Sequence, residues 1–299
     1  MVENPPAPIL VLAGPTAGGK SSAALALAEG LGGEVVNADA MQVYEGLRVL
    51  TARPTPEDEA RAPHRLYGHV GRHERYSAGS YARDAGRVLD EVRGRGRVPI
   101  LVGGTGLYLR AVTEGLAAIP PVPPEAERVA AARWDEDASA MRDMLIAVDP
   151  DAARLAPGDR QRHVRRASLL AATGRTLTAW QADGAAAAPG PFRAAVLSPP
   201  REVLTARIDA RAEAMMTAAL QEVAGLRGTG WPRGGLSGAL GLTALAAHLD
   251  GALTQGAALD RLRTQTRRYA KRQRTWFRGQ TGWPVFETPG EAAAYLAGD

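Results

Sequence analysis

The chain has 299 residues, of which 45% are hydrophobic and 23% charged, globular values that exclude wholesale disorder. It has no cysteine, which excludes disulfides, thiolate zinc sites and a cysteine nucleophile. Net charge is only +4, so a polyanionic partner must be argued from local clustering rather than from the total.

All but two of the 36 basic residues are arginine; the lysines are Lys20 and Lys271. No apolar run approaches the roughly 18 residues of a membrane span. Residues 1–6 lack the basic and apolar regions of a signal peptide, so the expectation is a cytoplasmic protein with no membrane partner.

In chain order, the apolar run at 8–13 predicts a buried strand, and the Ala- and Leu-rich stretch 21–31, stopped by Gly32 and Gly33, predicts a helix. Residues 34–38 predict a second strand that ends at Asp39. A helix is expected over 81–95 with its arginines outward, then a strand over 98–102 that runs into the glycine-rich 103–106. The proline cluster at 119–124 marks a linker, and 125–182 shows helical periodicity alone. A soft Ala, Gly and Pro segment at 184–191 precedes a strand at 192–197. The rest reads as helices, interrupted by a glycine-rich stretch at 225–241. Alternating strands and helices imply a parallel sheet. The expected fold class is α/β: a phosphate-loop NTPase-like parallel sheet core from residues 1–118 and 191–299, with an inserted all-helical domain at 119–190.

Gly14-Pro15-Thr16-Ala17-Gly18-Gly19-Lys20-Ser21 matches G-x-x-x-x-G-K-[ST] between a predicted strand and a predicted helix. Glycines let successive N–H groups face one concavity, and the helix N-terminus adds partial positive charge. Lys20 is suited to outer phosphates as a mobile point charge, and Ser21 offers a hydroxyl to Mg²⁺. The pattern identifies a diphosphate or triphosphate binder and nothing finer. A small-molecule kinase or ATPase, a group transferase and a non-catalytic RNA-binding module all remain open.

Asp39 is expected at the carboxyl edge of the sheet, where open α/β folds bind ligands. There it serves as a metal ligand, as a partner for an attacking amine or hydroxyl, or as a plain cap. Thr105 follows another strand and faces the same crevice. Arg207 and Arg211, four apart on a predicted helix, either reach phosphate or lie exposed. His64, His69 and His73 lack the spacing of a zinc site. Trp134, Trp180 and Trp231 read as core or domain-interface residues.

Residues 261–278 hold eight basic side chains and no acid. At helical spacing Arg267, Lys271, Arg274 and Arg278 form a positive rail, with Leu262, Tyr269 and Trp276 as an apolar stripe. A second cluster covers Gln161, Arg162, His163, Val164 and Arg165. Either alone is an ordinary solvated face; together, beside a phosphate loop, they favour a nucleic acid or another polyanion.

Several motifs in order carry a resemblance. They are the phosphate loop, Asp39-Ala40-Met41-Gln42-Val43-Tyr44, Thr51-Ala52-Arg53-Pro54, Pro63-His64-Arg65-Leu66 and Val102-Gly103-Gly104-Thr105-Gly106-Leu107-Tyr108. Then come Gln161-Arg162-His163-Val164-Arg165-Arg166-Ala167, Gly174-Arg175-Thr176-Leu177-Thr178, and Thr266-Arg267 through Lys271-Arg272-Gln273 to Thr275-Trp276. The chain resembles the bacterial tRNA dimethylallyltransferases over nearly its whole length. The resemblance implies tRNA held between core and insert, dimethylallyl diphosphate as donor and Mg²⁺ as cofactor. The implied reaction is transfer to the exocyclic amine of the adenosine just 3′ of the anticodon, with release of pyrophosphate. It implies Asp39, Thr105 and Lys20 as catalytic residues and Gly14 to Ser21 with Arg207 and Arg211 at the diphosphate. Asp39, Ala40, Met41, Gln42, Thr105, the 161–165 segment and the 267–278 rail are implied at tRNA. A monomer is expected. Ala40, Leu50 and the Leu242-Thr243 pair depart from the family pattern; the last lacks the usual Gly-Tyr aromatic and the polar or basic residue after it.

Overall fold

The computed structural model describes residues 8–184, 190–232 and 234–298. The expectations for residues 1–6 and for most of the soft segment, 185–189, lie outside them. Contact density divides the chain into two compact units, Met1–Thr113 with Pro189–Asp299, and Glu114–Ala188.

The first unit is built on a parallel sheet of β1 (Ile9–Ala13), β2 (Glu34–Asn37), β3 (His64–Arg65), β4 (Pro99–Gly103), β5 (Phe192–Leu197) and β6 (Val285–Phe286). Their spatial order is β3-β2-β4-β1-β5-β6. β1 is central, pairing Leu10 with Ile100 on one side and Ile9 with Phe192 on the other. All five of its side chains are buried, which is why it reads as an unbroken apolar run.

Alternate residues supply two cores. Ile9, Val11, Val36, Leu101 and Val196 face a cluster that includes Tyr81, Leu109, Met216, Leu245 and Phe277. Those side chains come from α3 (Ala78–Gly94), α4 (Gly106–Thr113), α9 (Arg201–Thr229), α10 (Leu242–Leu249) and α11 (Gln255–Gln280). Leu10, Leu12, Val35, Ile100 and Leu197 face the other cluster, with Leu25, Leu27 and Leu296 from α1 (Lys20–Leu31) and α12 (Pro289–Ala297); the short α2 (Pro56–Arg61) lies between β2 and β3 in the chain.

Three expectations are corrected. The C-terminal third contains a strand, β6, and a further two-residue strand, β3, lies at the opposite edge; neither is long enough to show a period of two. The interruption expected from residue 225 begins later, because α9 runs through Gly225 and Gly228 to Thr229. Trp231, expected inside, is 40% exposed.

The second unit contains α5 (Pro124–Glu136), α6 (Ala138–Val148), α7 (Arg160–Thr173) and α8 (Leu177–Ala182). Trp134, Met141, Leu145 and Ala167 form its core. Its polar anchor is the nearly buried pair of Arg166 and Asp149. Among the described residues no helix is long and apolar enough to cross a membrane.

Candidate active site at the carboxyl edge of the sheet

Because every strand runs the same way, the segments after β1, β2, β4 and β5 converge at one edge. These segments are the loop 14–19, the turn beginning at Asp39, the turn holding Thr105, and the start of α9. They enclose a cavity of about 660 Å³, lined by Thr16 to Ser22, Asp39, Gln42, Arg207, Arg211, His64, Tyr67 and Pro289 among others.

The loop's shape follows from its residues. A Cβ at Gly14, where φ is +147°, would lie 2.1 Å from the Leu197 carbonyl oxygen, so only glycine passes beneath β5 there. Ala17 sits at φ 61°, an uncommon conformation for a residue with a side chain and a sign of stored strain. Lys20 opens α1 and turns its ammonium back to donate to the Pro15 carbonyl at 2.7 Å.

α9 supplies the cations that the spacing of four suggested. Arg207 Nη1 donates to the Gly18 carbonyl at 3.2 Å, and Arg211 Nη2 donates to the Thr16 hydroxyl at 2.9 Å. Both therefore border the loop, where an incoming phosphate would find them beside Lys20.

Asp39 is held by a small network. Buried Asn37 accepts from the Asp39 N–H at 2.8 Å and donates through Nδ2 to the carbonyls of Asp39 and Leu66 at 3.1 and 3.0 Å. Tyr81 donates its hydroxyl to the Asn37 carbonyl at 2.8 Å. The Asp39 carboxylate accepts from the Met41 N–H at 2.9 Å. Loss of water around it is the main influence on its pKa, which lies above the ordinary carboxylate value. The same cause drives Lys20 down to about 8, against the nearby charge of Asp39, which pulls it up.

Thr105 accepts from the Ala40 N–H at 2.9 Å. A second, smaller cavity uses Thr16, Asp39, Thr51 and Arg211 as well, and continues between Met41, Leu50, Met215, Leu240 and Leu262 to Tyr269. The site thus joins a cationic, N–H-rich pocket to apolar walls, with one carboxylate at the junction.

Gln273, to which no role attaches from its place in the basic stretch, is the residue that the sequence left unread. It is buried and bridges two of the converging loops: Oε1 accepts from the Thr16 N–H at 2.8 Å, and Nε2 donates to the Gly104 carbonyl at 2.8 Å. Its signal was the position four residues before Phe277 and seven after Thr266, on the buried side of α11.

The expected rail is redistributed. The buried face of α11 is Ala258, Leu262, Thr266, Ala270, Gln273 and Phe277, while Tyr269 and Trp276 are only half-buried and border cavities. Arg267 is engaged by Asp209 of α9, and Arg274 is half-buried with its Nε enclosed. Lys271 instead lines an open groove with Arg268, Arg272, Thr275, Trp276 and Gln280, and Arg278 is exposed. In α7 the outcome is also mixed. Gln161 and Arg162 are exposed, Val164 and Arg165 are half-buried, and His163 is fully buried. The expectation that His163 contacts a partner is therefore corrected: it stacks on Trp134 at 4.9 Å and its Nδ1 bonds the Asp159 carbonyl at 2.8 Å. Leu242 is likewise core, at the start of α10. Among the described residues no three His, Asp or Glu side chains are grouped to hold a metal by themselves.

Comparison with known proteins gives one answer. The IPP transferase family model matches residues 42–280, and the isopentenyl transferase model matches 7–74. A tRNA dimethylallyltransferase of Methylobacterium nodulans is 53% identical over 297 residues, covering 95% of this chain and 96% of that one. One of Phenylobacterium zucineum is 50% identical over 281 residues, covering 92% and 91%. Among solved structures, the full-length tRNA isopentenylpyrophosphate transferase of Bacillus halodurans superposes with a TM-score of 0.68 at 30% identity, covering 97% of this chain and 96% of that one. A eukaryotic dimethylallyltransferase acting on tRNA superposes with a TM-score of 0.77 at 25% identity, covering 90% and 69%. A chain matched across its length by relatives at half identity, with a parallel sheet and phosphate loop in the arrangement described, belongs to the IPP transferase family of tRNA dimethylallyltransferases.

Proposed function

We propose that the protein transfers the dimethylallyl group of dimethylallyl diphosphate to the exocyclic amino nitrogen of the adenosine just 3′ of the anticodon in tRNA, releasing pyrophosphate. The observation that carries this is the placement of Asp39, the one carboxylate that lines both the phosphate pocket and the adjoining apolar-walled cavity. The phosphate pocket shares Thr16, Asp39, Thr51 and Arg211 with a cavity walled by Met41, Leu50, Met215, Leu240 and Leu262, whose apolar side chains suit an allylic carbon.

The chemistry follows from charge. As the allylic C–O bond breaks, positive character grows on carbon and negative charge on the departing pyrophosphate. Lys20, Arg207, Arg211 and the N–H groups of the 14–21 loop other than those of Thr16 and Gly18, which are bonded within the protein, stabilise the latter. An adenine amine is a weak nucleophile, so placement matters. Asp39 accepts its hydrogen bond and takes the proton as the N–C bond forms, and Thr105 steadies the reacting centre beside it. The apolar walls exclude water that would otherwise trap the carbocation. The base reaches such a recess only when flipped out of its stack.

Mg²⁺ commonly binds through few protein groups, with phosphate oxygens and water completing its shell. The exposed Ser21 hydroxyl, which lines the phosphate cavity, fits that donor set and leaves Asp39 to the amine. When bound, the ion neutralises charge on the leaving pyrophosphate. For tRNA, the exposed cations Arg268, Lys271, Arg272 and Arg278 of α11, together with exposed Gln161 and Arg162 and half-buried Arg165 of α7, supply phosphate and sugar contacts, with Ala40, Met41 and Gln42 near the base. Arg267 and Arg274 serve the fold first. Action on tRNA places the protein in the cytoplasm, and one chain carries every group named, so a monomer suffices.

The test is incubation with labelled dimethylallyl diphosphate and unmodified tRNA, followed by digestion and nucleoside chromatography. Label in a single modified adenosine supports the assignment; label left wholly in the diphosphate rejects it.

A further inference from the structure

Resting on the prenyl-transfer assignment for its activity arm, we infer that Gln273 is a positioning residue that locks the phosphate loop and the Thr105 turn into one register. Thr16 and Gly104 follow different strands and are joined by no direct side-chain bond of their own. Gln273 spans them with both halves of one amide, as acceptor for the Thr16 N–H and as donor to the Gly104 carbonyl, each at 2.8 Å.

The geometry makes the bridge specific. Gly104 must lack a side chain, because a Cβ there would meet Gln273 Nε2 at 2.1 Å. The two loops therefore approach α11 closely enough for one amide to satisfy both, and a shorter amide would not span the gap. Its neighbours one turn away do complementary work: Tyr269 lines the smaller cavity with Thr16 and Asp39, and Trp276 lines the groove that also holds Lys271 and Arg272. Thr16 is held from the other side by Arg211. One helix thus presents cations outward and fixes, through Gln273, the spacing between the diphosphate and the reacting nitrogen.

The consequence is a distinct kinetic signature. The Thr16 N–H points at Gln273 rather than into the cavity, so Gln273 acts on the diphosphate only through the loop. Removing it loosens two loops relative to each other, which harms the reaction more than it harms either binding step.

The experiment compares wild type with Gln273→Met, which keeps the bulk and loses both bonds, and Gln273→Asn, which keeps the amide and loses the reach. Steady-state kinetics, calorimetric binding of dimethylallyl diphosphate alone, tRNA binding and thermal unfolding are measured. Both variants are expected to lose about 10- to 100-fold in kcat and to bind the diphosphate a few-fold more weakly, with tRNA affinity unchanged. Asn is expected to behave like Met, since chemistry without length does not restore the bridge. Normal kcat in either folded variant overturns the inference, as does a loss confined to tRNA affinity. Should one variant fail to fold, the other decides. Should wild type itself transfer no prenyl group, the diphosphate measurement still decides, because unchanged affinity in the folded variants means the loop does not depend on Gln273.

Discussion

Lys20 and Asp39 line one cavity, and loss of water acts on them in opposite directions, lowering the lysine pKa to about 8 and raising that of the carboxyl. Each also restrains the other's shift through its charge. Lys20 is charged below about pH 8, so affinity for dimethylallyl diphosphate is expected to decline as pH rises through that value. Asp39 must be ionised to accept a proton, so kcat/KM is expected to fall on the acid side, beginning above the ordinary carboxylate range. Asp39→Asn removes the charge that holds the lysine pKa up. Calorimetric titration across pH should therefore show the alkaline decline in diphosphate binding moving to lower pH. A decline that stays in place would separate the two groups electrostatically.

Lys20→Ala is expected to abolish transfer while leaving tRNA affinity within about twofold, because its ammonium faces the loop and not the exposed cations of α11. Parallel assays of turnover and of tRNA binding check this division of labour. An equal collapse of tRNA binding would contradict it.

In the helical insert, Arg166 and Asp149 form a pair with little exposure, and Arg166 also reaches Thr178 at 3.2 Å. Arg166→Ala leaves a carboxylate buried without its partner, a loss of about 3–5 kcal/mol in that unit. Hydrogen exchange should show early opening of residues 124–173, with the β1 and β4 amides unaffected. Uniform destabilisation of both units would contradict the local role.

The positive helix α11 gives a contrast within one element. Replacing Lys271 and Arg272 with Gln should reduce the slope of log tRNA affinity against log salt by about 0.7–0.9 for each contact removed. Arg267→Gln should leave the slope unchanged, since its guanidinium is occupied by Asp209. Binding titrations from low to moderate salt distinguish the two sets.

Much of this arrangement was legible because it is local. The phosphate loop is a contiguous pattern, β1 a contiguous apolar run, and Asp39 and Thr105 both follow strands that periodicity reveals. What stayed hidden is set by partners far along the chain. The Arg267–Asp209 pair spans 58 residues, and Gln273 meets Thr16 across 257, so nothing near either residue announces the contact. His163 lies in a basic run yet turns inward onto Trp134, a choice made by the packing of α5 against α7. β3 and β6 are too short for any pattern and exist because a neighbouring strand supplies hydrogen bonds.

The most direct measurement follows both possible substrates of the phosphate loop in one vessel. Unmodified tRNA, Mg²⁺, labelled dimethylallyl diphosphate and γ-labelled ATP are incubated with the protein, and prenylated nucleoside, pyrophosphate and phosphate are quantified over time. One pyrophosphate released per prenylated adenosine, with ATP intact, is the predicted result. ATP consumption without transfer of the five-carbon label to adenosine would contradict the assignment of the loop to an allylic diphosphate.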